Sequence, residues 1–537
     1  MARTPLFSLV RRSLRLAAQA SRSGSPPVDD LLERLAERDF DISRRTLLKA
    51  SAAAGAMMAA PDLFTAFAQE GSARPQTGIV GAGIAGLNCA YKLRKAGVPV
   101  TVFEAAGRIG GRMITARDLM APGLTTEMGG EFIDSGHEEI LALIREFKLD
   151  MWDFQSPSGL KDEAFFFKGS HRTEAQVIRE FVPLAKKIAA DYDSLGEEIS
   201  YRDHGNGQEL DRTSIAEYLD AIGARGWIRD LLEVAYVTEY GLEAAEQSSL
   251  NLILLIGTDT GSGFEPFGES DERFTVKGGN QRVVDELAKR LDGGIRMRHR
   301  LTAVTAKGSG YVLTFDSAGR SVDYAFDSVV LAIPFTMLRE VDLRIPLPAV
   351  KARAIAELGY GTNAKVLAGF RSRKWKALGY GGNTLTDEPF QLCWDNAALQ
   401  PGTPSGITFY SGGTRGVDAG RGTAREALAG YLPGFEKAYP GARALLSGKV
   451  SRFHWPTNPF VKASYACYKP GQWTTIGGSE GESVGNLHFA GEHTSVDFQG
   501  YMNGGAQSGA DAAKAVLASV SRKAAELFPR LPRRRAV

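Results

Sequence analysis

The chain is poor in cysteine, nearly neutral overall and without a long apolar run at either end, and each shortage excludes a class of protein. Three cysteines in 537 residues cannot form a disulfide scaffold, and they lack the close pairing of a zinc site. A formal net charge of +2 gives no global attraction to nucleic acid or anionic lipid. We therefore expect no metal site and no nucleic-acid partner. Because single domains seldom exceed about 300 residues, we also expect more than one domain.

The N-terminal segment has the ordered parts of an export signal. Arg44 and Arg45 precede a small apolar run over 50–60, and an A-x-A cleavage site follows at 66–68. This order is typical of a twin-arginine signal peptide over 1–68, the alternative being an alanine-rich amphipathic helix after a disordered tail. The run is shorter than the roughly 20 apolar residues that span a bilayer. We expect a periplasmic or secreted protein that uses the twin-arginine translocase and carries a cofactor.

Glycine is abundant, with 61 copies, and its first cluster predicts a nucleotide site. A G-x-G-x-x-G turn over 81–86 lies between a strand-like and a helix-like segment. Such a turn lets the backbone approach a pyrophosphate, and the helix N-terminus offers free N–H groups. Glu104 ends the next strand, where an acid accepts hydrogen bonds from ribose hydroxyls. A glycine-rich surface loop could match the hexapeptide by chance, but this context predicts a Rossmann-type dinucleotide-binding domain.

Further glycine motifs distinguish a flavin from a nicotinamide cofactor. E-x-x-x-R-x-G-G-R covers 104–112, a glycine pair follows at 129–130, and F-A-G-E-H-T with G-Y-M-N-G-G lies within 489–505. In this order and spacing the motifs resemble the flavin amine oxidase family, which includes monoamine, polyamine and L-amino-acid oxidases. The resemblance covers roughly 76–520 and implies one FAD held by both ends of the chain. The FAD contacts that it implies are Gly81, Gly83, Ala85, Gly86, Glu104, Arg108, Gly111, Arg112, Gly129, Gly130, Glu131, Val304, Gly491, Glu492, Gly500, Tyr501 and Met502.

The resemblance also implies an α/β fold. In it, a Rossmann-type FAD-binding domain is interleaved with an α+β substrate-binding domain that consists of an antiparallel sheet and a helical insert. With the hydrophobic periodicity, it divides the chain into a signal peptide (1–68), three parts of the FAD-binding domain (75–155, 273–344 and 481–520), a helical insert (156–272), a substrate-binding sheet (345–480) and a basic tail without a membrane anchor (521–537). A homodimer is possible on this evidence.

Lys365 is the first candidate for catalysis. It lies in an apolar strand pattern over 364–367, where a buried ammonium group is costly unless it has a partner. The resemblance implies that it is the lysine that holds a water against the flavin N5 atom. The alternative is a strand-edge lysine with its ammonium group in solvent.

Two tyrosines, Tyr468 and Tyr501, are the other catalytic candidates. The resemblance implies that they flank the path of the amine, and a narrow slot between electron-rich rings suits an amine better than a carboxylate. Cys467 lies where monoamine oxidases attach the flavin through a thioether; the alternative is a buried, inert cysteine. We expect FAD to be bound without a covalent link.

Glu131 departs from the monoamine oxidase pattern, which has a small residue there. It could receive the second amine of a diamine, polyamine or lysine, but we favour a carboxylate satisfied by arginine or backbone N–H groups. We expect oxidative deamination of a primary amine with O2 as acceptor, giving H2O2, ammonia and an aldehyde. Alternatives are an L-amino-acid oxidase giving a 2-oxo acid, although no arginine for its carboxylate is evident after Gly130, a polyamine oxidase, and a flavoprotein without oxidase activity.

Overall fold

The computed structural model describes residues 75–155, 159–196, 198–261 and 263–527. The signal peptide predicted over 1–68 lies outside these ranges, as does the predicted basic tail after residue 527. Within these ranges, none of the helices combines the length and the apolarity needed to cross a membrane.

The strands, labelled in chain order, form parallel and antiparallel sheets. They are β1 (Thr77–Val80), β2 (Val100–Glu104), β3 (Thr115–Arg117), β4 (Thr125–Glu127), β5 (Met151–Asp153), β6 (Lys161–Phe167), β7 (Ser170–Arg172), β8 (Phe274–Val276), β9 (Ile295–Met297), β10 (Arg300–Lys307), β11 (Gly310–Ser317), β12 (Arg320–Phe326), β13 (Ser328–Leu331), β14 (Asp342–Arg344), β15 (Ala364–Phe370), β16 (Tyr380–Thr386), β17 (Leu392–Asp395), β18 (Ser405–Ser411), β19 (Leu446–His454) and β20 (Leu487–Phe489).

The α-helices are labelled in the same way. They are α1 (Ile84–Lys95), α2 (Glu138–Glu146), α3 (Glu174–Ser194), α4 (Gly207–Arg212), α5 (Ile215–Ala221), α6 (Gly226–Tyr240), α7 (Ser249–Ile253), α8 (Gln281–Lys289), α9 (Phe335–Leu338), α10 (Ala349–Glu357), α11 (Lys374–Ala377), α12 (Gly413–Asp418), α13 (Ala424–Ala438) and α14 (Met502–Leu527).

The first sheet is parallel, with the strand order β20-β13-β1-β2-β9. Thr77 of β1 pairs with Val100 on one side and with Ser328 on the other. Every residue of β1 and β13 is buried, as expected for a parallel sheet covered on both faces. Because the chain leaves β1 toward β2 and returns on the other side as β13, a crevice opens at the carboxyl ends of these two strands. Ligands bind at such a switch point in doubly wound folds.

Both ends of the described chain close this domain. Helix α1 packs against α14, and Asn88 Nδ2 donates a hydrogen bond of 2.8 Å to the carbonyl oxygen of Ala506. The helices approach so closely at Gly509 that a Cβ there would overlap the backbone of Ala85. Strands β9, β13 and β20 come from later parts of the chain. The predicted fold class, a parallel nucleotide-binding sheet interleaved with a second, antiparallel unit, is confirmed.

The second sheet has the order β19-β15-β18-β17-β16-β6-β7 and is mainly antiparallel. Its strand β15 is buried along its whole length and pairs with β18 and β19. In this register Lys365 lies between Tyr410 and Phe453. The sheet therefore places a lysine and aromatic side chains side by side.

The segment predicted as a helical insert, 156–272, contains helices α3 to α7 but begins with β6 and β7, which extend the second sheet. Phe165, Phe166 and Phe167 are buried in β6, and consecutive aromatic residues favour a strand. The residues after β7 have a helical periodicity, and the prediction extended it over β6 and β7 as well. Helix α6 ends before Gly241, which has a φ of +80°.

Candidate active site

A cavity of about 770 Å³ opens at the carboxyl ends of β1 and β13. Its lining runs from the glycine turn after β1 to a group of aromatic side chains. We call the first part the nucleotide end and the second the substrate end. The nucleotide end is lined by Gly81, Gly83, Ala85, Glu104, Arg108, Gly111 and Arg112, and the substrate end by Phe132, Glu239, Trp394, Tyr410, Tyr465 and Tyr501.

The glycine turn brings backbone rather than side chains to the nucleotide end. Gly81 has a φ of +106°, which an L side chain rarely adopts, and a Cβ at Gly86 would overlap the carbonyl oxygen of Gly81. Gly86 is therefore a packing residue and does not line the cavity, whereas Gly83 and Ala85 do. Helix α1 begins here without a side-chain cap, so its first N–H groups are available to an anion.

Glu104 lies at the end of β2 and lines the cavity. Its Oε2 accepts the N–H of Ala82 at 2.8 Å, and its Oε1 accepts the N–H of Ala106 at 2.7 Å. These bonds fix the carboxylate and leave further lone pairs on each oxygen. Such a group suits the hydroxyls of a ribose.

Two arginines of the second motif have different partners. Arg108 is engaged with the carbonyl oxygens of Ile109 and Gly111. Arg112 donates to Glu492 Oε1 at 2.7 Å, and Glu492 Oε2 accepts the N–H of Gly500 at 2.8 Å. The Arg112–Glu492 pair thus joins the two ends of the sequence beside the cavity.

The glycine pair at 129–130 forms the passage between the two ends of the cavity. A Cβ at Gly129 would overlap the backbone carbonyl oxygen of Arg112, so only glycine fits there, and a Cβ at Gly130 would lie 2.6 Å from Met502 Cγ. Gly491, Gly500 and Met502 also line the cavity. Free N–H groups, a fixed carboxylate and a narrow glycine passage together suit an extended dinucleotide such as FAD.

Val304 was predicted to contact FAD, but the structure does not place it at the cavity. It is buried inside β10 and does not line the cavity, whereas His299, Arg300 and Leu301 do. A strand advances about 3.3 Å per residue, so Val304 lies roughly 10 Å beyond Leu301. The start of β10, not its centre, borders the cavity.

Lys365 lies on β15 and is only 4% exposed, so the alternative with an ammonium group in solvent is wrong. Its Nζ donates to the carbonyl oxygens of Glu127 at 3.0 Å and Gly129 at 2.9 Å. A third hydrogen bond, of 2.8 Å, goes to Glu131 Oε2, and Nζ lies 5.1 Å from the centre of the Trp394 ring. All three N–H groups are engaged, so Lys365 could hold a water only by exchanging one of these bonds. Glu131 is satisfied by this lysine and not by an arginine.

Tyr501 lines the substrate end as predicted, and its hydroxyl donates to Glu239 Oε1 at 3.1 Å. Its partner there is Tyr465, whose hydroxyl donates to the carbonyl oxygen of Glu239 at 2.6 Å and lies 2.8 Å from that of Tyr410. Tyr468 instead packs on Trp473 outside the lining. Of the predicted pair, Tyr501 therefore lines the cavity and Tyr468 does not, and the tyrosine beside Tyr501 in the lining is Tyr465.

Cys467 is fully buried and does not line the cavity. Its Sγ lies 3.6 Å from Asn251 Nδ2, and burial raises the pKa of the thiol. The residue that precedes the lining tyrosine is Ser464, which does line the cavity. The structure therefore places the thiol away from the ligand surface.

The sequence analysis missed a set of acids at the substrate end. Burial raises the pKa of Asp134 to about 6 and that of Glu239 to about 7, and it raises the pKa of Glu272 well above its ordinary value. Glu163 belongs to the same lining. We call Asp134, Glu163, Glu239 and Glu272 the acid group. Glu239 could have been noticed as a charge near the end of an apolar helix, but nothing local marks Glu163 or Glu272.

Two family models match the chain. The model described as flavin containing amine oxidoreductase matches residues 84–517. The model for the twin-arginine translocation signal matches residues 41–61, so the predicted export signal is confirmed.

Three proteins with similar sequences illustrate what the chain resembles. A Mycobacterium tuberculosis protein with the provisional name flavin-containing monoamine oxidase AofH is 26% identical over 82% of this chain and 96% of its own. The L-amino acid dehydrogenase of Synechocystis is 25% identical over 82% of this chain and 94% of its own. Among solved structures, the cyclohexylamine oxidase of Brevibacterium oxydans has a TM-score of 0.74 at 25% identity, and covers 84% of this chain and 100% of its own.

Proposed function

Since the chain belongs to the flavin containing amine oxidoreductase family, we propose that it is an exported FAD-dependent oxidase that deaminates a primary amine with O2 as electron acceptor. The observation that carries this proposal is the substrate end, where Tyr465 and Tyr501 both line the cavity and both bond to Glu239. Electron-rich rings next to carboxyl groups favour an amine and disfavour an anion.

The reaction needs no nucleophile from the protein. The amine R–CH2–NH2 loses a hydride from carbon and a proton from nitrogen to give R–CH=NH, which water hydrolyses to the aldehyde and ammonia. Bound FAD would supply the acceptor for these two electrons, which O2 would then take up as H2O2. The residues of the chain position the amine and exclude bulk water. In this proposal Tyr465 and Tyr501 form the walls on either side of the amine, and Lys365 holds the glycine passage through its bonds to Glu127 and Gly129.

A primary amine is favoured over an L-amino acid because of the basic residues around the cavity. Among the described lining residues, the arginines are Arg108, Arg112 and Arg300. Arg112 pairs with Glu492 and Arg300 with Glu340, while Arg108 bonds to backbone of its own loop. A substrate carboxylate would therefore face the acid group, without a cation to offset the repulsion.

The test is a peroxide assay on substrates that differ only in the carboxylate. We expect H2O2 from tyramine and phenylethylamine, and much slower release from L-tyrosine and L-phenylalanine. Turnover of the carboxylated substrates alone would contradict the proposal. Absence of peroxide, together with flavin that is reduced by amines but not reoxidised by O2, would indicate the flavoprotein without oxidase activity.

We further propose that FAD is bound without a covalent link, because the thiol of Cys467 lies outside the lining and Ser464 precedes the lining tyrosine. Acid precipitation should therefore release the flavin into the supernatant. Flavin that stays with the precipitated protein would contradict this part of the proposal.

A further inference from the structure

Glu131 borders two separate spaces, the main cavity and a small pocket of about 20 Å³. We call the second space the side pocket; its lining includes Glu127, Glu131, Trp152, Thr275, Asn396 and Gln400. Among the described lining residues, Glu131 is the one that the two spaces share. We propose that a water in the side pocket and the Glu131–Lys365 pair form a proton relay to the bound cofactor, on a route separate from the substrate end. This inference rests on the proposed function, because the proton is consumed when O2 becomes H2O2.

Lys365 has one hydrogen bond that it can exchange without movement of the backbone. Its Nζ donates to the backbone carbonyl oxygens of Glu127 and Gly129, which the chain itself holds in place. The third bond, of 2.8 Å, goes to Glu131 Oε2, a side-chain atom that rotates about its own bonds. The bond to Glu131 is therefore the one through which Lys365 exchanges a proton or takes up a water.

Glu131 is the carboxylate that balances the charge of Lys365. Both side chains are buried, with exposed fractions of 8% and 4%. Burial raises the pKa of the neighbouring Glu127 to about 8, so that carboxyl group is neutral at pH 7. Glu131 Oε2 bonds to Lys365, while Glu131 Oε1 has no hydrogen-bond partner among the described residues. Oε1 is therefore available to a water at the border of the side pocket.

The side pocket fits one water molecule, for which about 10–15 Å³ is enough. Asn396 lines this pocket, and its Nδ2 donates to Thr408 Oγ1 at 3.0 Å. The other amide atom, Asn396 Oδ1, is buried and has no partner among the described residues. A buried acceptor without a donor is costly, and a water that donates to Oδ1 would remove this cost. Trp152, Thr275 and Gln400 are only half-buried, so the pocket lies close to the surface.

The proton balance of the proposed reaction has a place for such a route. O2 becomes H2O2 by taking up one hydride equivalent, which bound FAD would supply, and one proton: H⁻ + H⁺ + O2 → H2O2. In this inference the Lys365 ammonium group gives the proton, and the water returns one to the lysine through the Glu131 carboxylate. Lysine and carboxylate end each cycle as they began it, and solvent supplies one proton. The amine releases its own proton at the substrate end.

The test separates the two halves of the catalytic cycle by stopped-flow absorbance of the FAD-loaded enzyme. Glu131→Gln should slow the reoxidation of amine-reduced flavin by O2 at least about 10-fold, because a positioned acid–base group contributes about 100-fold or more. Anaerobic reduction by the same amine should keep its rate. The matched control is Glu180→Gln, an exposed glutamate of α3, which should keep both rates.

Chemical rescue distinguishes a relay from a pair that is merely structural. In Glu131→Ala, added formate should restore reoxidation in proportion to its concentration, because it supplies a carboxylate in the space that the side chain leaves. Formamide has nearly the same size but no carboxylate, and it should not restore the rate.

The side pocket is tested without changing the ion pair. Ala398→Leu places a larger side chain in the lining of the pocket and should slow reoxidation, whereas Ala352→Leu, at an exposed position of α10, should not. A crystal structure of the wild type should show a water bonded to Glu131 and Asn396, and the Ala398→Leu structure should lack it. This readout does not depend on activity and remains decisive if the Glu131 variants fail to fold or to bind flavin.

A folded, flavin-loaded Glu131→Gln variant that is reoxidised as fast as the wild type would overturn the inference. So would equal loss of both half-reactions, failure of formate to restore the rate, or a wild-type crystal structure without a water in the side pocket. Failure of the proposed function differs from these outcomes, because the wild-type flavin would then not be reduced by the amine or not be reoxidised by O2.

Discussion

The nucleotide end and the substrate end of one cavity are made in different ways. The nucleotide end consists mainly of backbone, held by local motifs such as the glycine turn at 81–86 and by the fixed carboxylate of Glu104. The substrate end consists of side chains such as Glu239, Tyr410 and Tyr465, which approach from distant parts of the chain. The first kind of site binds a ligand shared by many proteins, and the second can change its substrate through single side chains.

The largest expected effect comes from adding one methyl group to the glycine turn of the nucleotide end. Gly86→Ala should abolish FAD binding, because the new Cβ would overlap the carbonyl oxygen of Gly81. Flavin content after purification measures the effect. The matched control is Gly430→Ala, in helix α13, where a Cβ meets nothing within 4 Å and alanine should stabilise by about 0.5–1 kcal/mol. A Gly86→Ala protein with full flavin content would contradict the account of this turn.

Loss of the Lys365 ammonium group should be the next largest effect. Lys365→Met leaves the buried carboxylate of Glu131 without its partner, which should lower the free energy of unfolding by about 3–5 kcal/mol. Urea denaturation measures the change, and a Lys365→Met/Glu131→Gln double variant should recover part of it. Lys514→Met removes an exposed pair with Asp511 and should change stability by less than about 1 kcal/mol. If both lysine variants are equally stable, the pair at Lys365 is not buried as described.

Tyr465 and Tyr468 lie three residues apart, and the structure places only Tyr465 in the lining of the substrate end. Tyr465→Phe removes the hydroxyl that bonds to the carbonyl oxygen of Glu239 and should lower kcat/KM for the amine by about 10-fold. Tyr468→Phe removes a hydroxyl outside the lining, which donates to Glu480, and should lower stability by about 1 kcal/mol with little change in kcat/KM. The reverse pattern would restore the pairing expected from the sequence.

The last prediction concerns the pH dependence of stability at the substrate end. Burial raises the pKa of Glu239 from 4.5 to about 7, so between these values the unfolded chain loses a proton that the folded protein retains. The contribution of this group to the free energy of unfolding is therefore largest at low pH, and it falls by about 1 kcal/mol per pH unit as the pH rises from about 5 to 7. Asp134 contributes in the same direction, since burial raises its pKa to about 6.

Glu239→Gln isolates the contribution of Glu239. The difference in free energy of unfolding between wild type and variant should change with pH across this range and be constant above it. A difference that is independent of pH between 5 and 7 would show that Glu239 is ionised in the folded protein throughout.

The sequence allowed most of the nucleotide end to be predicted, because glycine at Gly81 and an acid at Glu104 are local requirements of the backbone. It did not allow us to predict which single residue of a strand or loop lines the cavity. Val304 and Tyr468 were each displaced by three residues from the lining positions of Leu301 and Tyr465. Apolar and aromatic residues recur at short spacing, and only the strand pairing determines which of them borders the cavity.

The substrate end was largely hidden in the sequence for a different reason. Glu163 lies on a strand that was expected to be helical, and Glu272 lies in a loop whose backbone is held by Asp134. No motif joins these residues, since only the folded chain brings them together. The acid group was therefore recognised from the structure and not from the sequence.

The most direct test of the account is anaerobic reduction of the bound flavin by 1,5-diaminopentane and by L-lysine, which differ only in the carboxylate. The account predicts rapid loss of the oxidised flavin absorbance with the diamine and little change with L-lysine at the same concentration. Reduction by L-lysine alone would contradict the central claim that the cavity selects a primary amine.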